Sequence, residues 1–202
     1  VSFLVVEAGT WRLADGTLLQ AGTAEVSALG GPGLTDVSFD APFAEAPVLL
    51  SHVQAQDEAA FLDTRQDEVT ADGARLTIEA AEALNAGAVG PQAVGWLALE
   101  PGAGIWATPS GGLAFEAGRS GSPVSDAGGS LAFDAEFAQP PLLLAGIDSY
   151  AGPDPAVLRI REVTARGAEV RVQEDTSADR ETGHIPESIG YLGLAGEGVL
   201  SG

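Results

Sequence analysis

Apolar and polar residues alternate in short runs along most of this chain, and turn residues break the runs every few positions. Val37–Phe43 and Leu131–Phe137 alternate in this way, and Leu76 with Ile78 and Val170 with Val172 keep the period of two of half-buried strands. The runs Pro47–Gln54 and Pro141–Asp148 are richly apolar and are entered through a proline, which a strand tolerates at its first residue. Ala60–Val69, Ala74–Glu79, Ala156–Val163 and Ala168–Gln173 read as further strands. Three segments look like closing strands: VSFLVVE at 1–7, VGWLALE at 94–100 and IGYLGLA at 189–195. Each carries an aromatic at its third position (Phe3, Trp96, Tyr191) before small and large apolar residues alternate. Asp15-Gly16 and Gly111-Gly112 predict hairpin turns, since both pairs accept positive φ. Only Glu79–Leu84 and Asp175–Glu181 allow a helical reading, and neither has a cap.

The runs are not independent of one another. FDAPFAEAPVLL at 39–50 is answered by FDAEFAQPPLLL at 133–144. Arg65, Glu68, Val69, Thr70, Ala71, Gly73 and Ala74 then return in the same register as Arg159, Glu162, Val163, Thr164, Ala165, Gly167 and Ala168. Self-similarity of this length predicts a duplicated supersecondary unit. The expected fold is all-β: two tandem antiparallel β-sandwiches related by internal duplication, over 10–102 and 103–202, with an additional N-terminal strand over 1–9. That extra strand closes an upstream or neighbouring module, or plugs a sheet edge by strand addition.

Composition agrees with many turns and a folded core: 45% hydrophobic and 19% charged residues, with 27 Gly and 12 Pro. Charge changes the picture more. Asp and Glu number 29 against nine basic residues, all of them Arg, for a net charge of −20. Such a surface repels phosphate backbones and anionic lipid, which argues against nucleic-acid binding. It reads either as a solubility device or as carboxylates that hold divalent cations in a saline setting, calcium being the ion they would suit. Without Cys there are no disulfides and no thiolate sites. No apolar run reaches the ~20 residues a membrane-spanning helix needs, so membrane insertion is not expected.

Candidate chemistry is sparse. Arg65 and Arg159 are the basic residues that keep register between the copies. They read as bidentate donors to a sugar or carboxylate ligand, or as cross-strand ion pairs with Glu68, Glu79 or Glu162. Trp11 and Trp106 follow the closing strands and either seal the junction between modules or offer a flat saccharide platform. Phe39, Phe43, Phe133 and Phe137, with Trp96 and Tyr191, read as core. His52 and His184 occupy non-equivalent places and read as incidental. No metal site can be named from the acidic clusters, for none follows a calcium-binding loop pattern. No nucleophile elbow, positioned Ser/His pair or phosphate-cradling loop occurs, so an enzyme is not expected.

The pattern Phe39, Phe43, Pro47, Arg65, Val69-Thr70, Gly73 and Gly95-Trp96-Leu97-Ala98-Leu99 resembles the H-type lectin domain. It is repeated as Phe133, Phe137, Pro141, Arg159, Val163-Thr164, Gly167 and Gly190-Tyr191-Leu192-Gly193-Leu194. The pattern also looks like repeats of large, acidic, exported bacterial surface proteins. The resemblance implies a six-stranded antiparallel sandwich and galactose-type sugar binding between subunits, with Arg65 and Arg159 where the family's arginine lies. EAAEALNAGAVGPQA and QEDTSADRETGHIPE stand where the family carries its Trp-containing stretch. The expected function is a non-enzymatic binding or adhesion module, extracellular or on the cell surface, with a carbohydrate or protein surface as partner. The alternative is a self-associating structural repeat of a surface layer, filament or phage-like appendage. Oligomers would form by strand addition or by sandwiches lying side by side.

Overall fold

The computed structural model describes residues 3–27, 33–54, 61–84 and 89–200. All regular structure among them is β-strand. The first half holds β1 (Gly9–Arg12), β2 (Leu18–Val26), β3 (Thr35–Ser38), β4 (Val48–Val53), β5 (Leu62–Asp67), β6 (Gly73–Ala80) and β7 (Gln92–Leu99). The second holds β8 (Gly102–Thr108), β9 (Gly111–Arg119), β10 (Gly129–Ala132), β11 (Leu142–Ile147), β12 (Ala156–Thr164), β13 (Gly167–Glu174) and β14 (Ile189–Leu194). A four-stranded sheet β1-β2-β7-β4 faces a three-stranded sheet β3-β6-β5 in the first half. The second half repeats that order as β8-β9-β14-β11 and β10-β13-β12. Every pairing is antiparallel.

Alternation along the strands explains the layers. In β6 the inward side chains are Ala74, Leu76 and Ile78, and in β13 they are Ala168, Val170 and Val172. Each sandwich closes on a T-shaped phenylalanine pair: Phe39–Phe43 at 5.2 Å and Phe133–Phe137 at 5.6 Å between ring centroids. Trp96 tilts against Phe39 in one, and Tyr191 against Phe133 in the other. The phenylalanines lie beyond β3 and β10 rather than within longer strands. Their backbone amides leave the sheet: Phe39 N–H and Phe43 N–H donate to Asp72 O and Ala71 O of the turn before β6. That turn explains its shared glycine, because a Cβ on Gly73 would stand 2.4 Å from Val37 O and one on Gly167 2.2 Å from Leu131 O.

A third core lies between the halves. Leu19, Val48, Leu97 and Leu99 of the first four-stranded sheet pack with Trp106, Leu113, Phe115, Leu192 and Leu194 of the second. The four-stranded sheets are therefore buried on both faces, as their near-continuous apolar runs require. The two halves are not beads on a linker but layers of one stack.

Three local expectations need correction. Phe3–Ala8 forms no strand, and the first strand is Gly9–Arg12 against β2. With β1 and β7 on its two sides, β2 has no edge to offer, and Phe3, Leu4, Val5, Val6 and Ala8 line the cleft between the halves instead. The second hairpin turns at Pro109-Ser110, with Thr108 paired to Gly111, two positions earlier than the glycine pair suggested. Neither helical candidate is helical: Glu79 belongs to β6, and Asp175 spends its carboxylate on the amides of Ser177 and Glu82.

Candidate functional site

The densest polar chemistry sits at the joint between the halves. Arg65 projects from β5 onto the outer face of the three-stranded sheet, opposite Thr77, and is 0% exposed. Its Nη1 donates to both oxygens of Glu79 (3.2 and 3.1 Å) and its Nη2 to Glu187 Oε1 at 2.5 Å. Nε and Nη2 also reach the Ser149 carbonyl at 3.4 and 3.3 Å, and the guanidinium lies 4.9 Å from the Tyr150 ring centroid. Glu79 is a neighbour in the same sheet. Glu187, Ser149 and Tyr150 come from the other half.

Glu187 is the acceptor that organises this centre. Besides Arg65 it takes hydrogen bonds from the Ala151 and Gly152 amides and from the Ser149 hydroxyl. Burial alone would raise its pKa, but the Gly152 amide, the Ser149 hydroxyl, the Ala151 amide and Arg65 together hold it below the ordinary glutamate range. His184 bridges outward, with Nδ1 3.2 Å from Glu174 Oε1 and Nε2 3.2 Å from Glu187 Oε1. For Glu79 burial wins: its pKa is pushed up to about 7 despite Arg65 and the Ala156 amide. A second cluster flanks the first. Gln66 Nε2 donates to Leu49 O and to Asp148 Oδ1, while Arg119 binds Asp148 and the Ala46 and Pro47 carbonyls. Burial raises Asp148 to about 6 against the pull of Arg119.

This arrangement neutralises and fastens: the Arg65 guanidinium and the Ser149 hydroxyl are directed at protein acceptors. Beside it, between the four-stranded sheets, runs a cleft of about 590 Å³ lined by His52, Gln54, Asp63, Thr64, Trp96 and Leu144 among others. Among the described residues no group of three or more His, Asp or Glu is arranged to hold a metal ion. The acidic cluster at 56–58 lies outside the described residues.

Over 196 residues, 95% of this chain, the sequence is 29% identical to Halomucin of Haloquadratum walsbyi. The match covers 2% of that protein, so the chain spans a small fraction of the relative's length. No family model and no solved structure matches the chain.

The four residues singled out from sequence have separate fates. Arg65 has its donors directed at protein acceptors, the cross-strand carboxylate being Glu79. Trp106 is 2% exposed and stacks on Phe115 at 3.9 Å in the core between the halves. Trp11 is half-buried against the same core, and its Nε1 donates to Glu7 O. Arg159 is exposed on β12, directly opposite Arg171, in no ion pair among the described residues. Glu187, His184, Asp148 and Arg119 were not foreseen. Their signal is divergence: QAVGWLAL of 92–99 answers ESIGYLGL of 187–194, so Glu187 stands where the first copy has Gln92.

Proposed function

We propose that this chain is a non-catalytic structural module of an extracellular surface protein, built from two sandwiches fastened through their four-stranded sheets. The observation that carries the reading is the use of Arg65 and Trp106, the best ligand candidates, to fasten the halves: both are buried at the joint. The similarity to a stretch of Halomucin supports an extracellular, surface setting. The net charge of −20 suits a saline one, where counterions screen the self-repulsion that such a surface carries. A module of this kind unfolds as one unit. In urea, tryptophan fluorescence and circular dichroism should give a single coincident transition. Two separated transitions would mean that the joint does not couple the halves, and the reading would fail.

A second reading, an H-type-lectin-like carbohydrate binder, draws on the cleft. Trp96 is partly exposed there beside His52, Gln54, Asp63 and Thr64, a mixture of flat apolar and polar groups suited to a sugar. Saccharide-array signals that vanish in His52→Ala and Asp63→Asn would favour this reading over the structural one.

A further inference from the structure

His184 is 5% exposed and stands between two carboxylates that are themselves buried, Glu174 at 7% and Glu187 at 0%. Its Nδ1 lies 3.2 Å from Glu174 Oε1 and its Nε2 3.2 Å from Glu187 Oε1, so both ring nitrogens face a carboxylate oxygen. Close packing fixes the ring in that pose. A Cβ on Gly152 would stand 2.7 Å from its Cε1 and 2.8 Å from its Nε2. A neutral imidazole has one N–H and one lone pair, whereas an ionised carboxylate only accepts. With a single proton on the ring, one nitrogen would aim its lone pair at a carboxylate inside the fold, where an unmatched polar group is costly.

The neighbours decide where the protons sit. Glu187 is an acceptor throughout, taking hydrogen bonds from Arg65, Ala151, Gly152 and the Ser149 hydroxyl, so Nε2 must face it as N–H. Glu174 Oε1 and Nδ1 then need one proton between them. Imidazole is the stronger base by about two pH units, which places that proton on the ring. The surrounding charge agrees. Behind Glu187, Arg65 of β5 is shared with Glu79 of β6, and Asp154, Asp175 and Asp179 gather with Glu174 around Glu82. A second cation is favoured in such acidic company. The first half has no matching set. Ala80, Val89 and Gln92 stand where the second has Glu174, His184 and Glu187, and Val89 packs against its own sandwich core.

We propose that His184 is a doubly protonated clasp, an imidazolium held between Glu174 and Glu187, and that its proton makes the joint between the halves sensitive to pH. The segment 175–188 leaves β13 after Glu174 and leads into β14, so the clasp ties the two ends of this loop together. Glu187 is also the acceptor that the second half offers to Arg65, so loss of the proton loosens the carboxylate that fastens the first half. The unfolded chain gives up a histidine proton near about pH 6.5. The clasp keeps it longer. Its contribution to stability is therefore complete below that value and is lost as rising pH strips the folded ring. The role at the joint rests on reading the chain as a structural module; the protonation rests on the geometry alone.

Nitrogen-15 NMR of the whole chain with labelled histidine reads the ring directly at about pH 7.5, where an ordinary histidine is roughly nine-tenths neutral. The chain has 2 His, so His52→Gln assigns the signals. His184 should show two protonated nitrogens, and Glu174→Gln should return it to the neutral pattern. Urea titrations of the wild type and His184→Gln then read the joint. Between about pH 7 and 8 the wild type's unfolding constant should climb more steeply than the variant's, by up to about tenfold per pH unit, the slope of one proton. A neutral His184 in the wild type overturns the proposal, and so do parallel pH curves for the two chains. A ring that stays doubly protonated in Glu174→Gln overturns the clasp as well. Should His184→Gln fail to fold, the ring signals of the wild type and Glu174→Gln decide. A neutral ring would leave single-transition unfolding untouched, so this inference and the structural reading fail separately.

Discussion

Replacing Arg65 by Met is the most direct probe of the joint. The change keeps an unbranched apolar stem but removes the guanidinium from between Glu79 and Glu187, both buried. An exposed arginine–carboxylate pair would contribute about 0–1 kcal/mol. Here one partner is lost from a desolvated set and two carboxylates are left behind, so the expected loss is about 3–5 kcal/mol. With a urea dependence of roughly 2–3 kcal/mol per molar, the midpoint should fall by about 1–2 M. Arg159→Met, at the matching but exposed position, should move stability by no more than about 0.5 kcal/mol. A double-mutant cycle with Glu187→Gln completes the test: residues sharing one network should couple by about 1–3 kcal/mol across the joint. Equal midpoints for Arg65→Met and Arg159→Met, or a loss below about 1 kcal/mol, would refute the claim that Arg65 fastens the halves.

Two further outcomes follow from the same geometry. Burial raises Glu79 from 4.5 to about 7 and Asp148 from 3.8 to about 6, so between those values the folded chain holds more protons than the unfolded one. Stability should therefore rise as pH falls from neutrality towards 5. Below that, Glu187, whose folded pKa is lowered, loses its contribution as it protonates, and stability should decline. Thermal melts across pH should show this maximum, and Glu79→Gln should flatten its neutral side; a wild type and variant with parallel pH curves would contradict it. Gly73→Ala and Gly167→Ala should each destabilise by about 1–3 kcal/mol, because a methyl would meet a backbone carbonyl in both turns. Urea titration of the two variants checks this, and tolerance at either site would show that the close approach is not required.

Much of the architecture was legible because strand patterning is local. The alternation in Ala74–Ile78 and Ala168–Val172 marks inward faces whatever they pack against. The repeated Phe, Pro and Val-Thr-x-x-Gly positions announced a turn whose glycine is forced by carbonyl contact. Local pattern also misled: Phe3–Glu7 reads as a strand in sequence but pairs with none, and Phe3, Leu4, Val5 and Val6 line the cleft. Asp175–Glu181 offered a helix, yet its first carboxylate is taken by the amides of Ser177 and Glu82.

What the sequence alone determined is an all-β chain with recurring strand and turn motifs and a strongly acidic surface, since period, turn chemistry and charge are properties of neighbouring residues. What only the tertiary structure decided is the stacking of the four-stranded sheets and the fate of the two matched arginines. Arg65 and Arg159 occupy equivalent places in repeated strands, yet one is enclosed by Glu79 and Glu187 and the other faces solvent. The reason is that burial of a side chain on an outer sheet face depends on which distant segment covers it. Ser149, Tyr150 and Glu187 cover Arg65 in this way, while Arg159 is left bare.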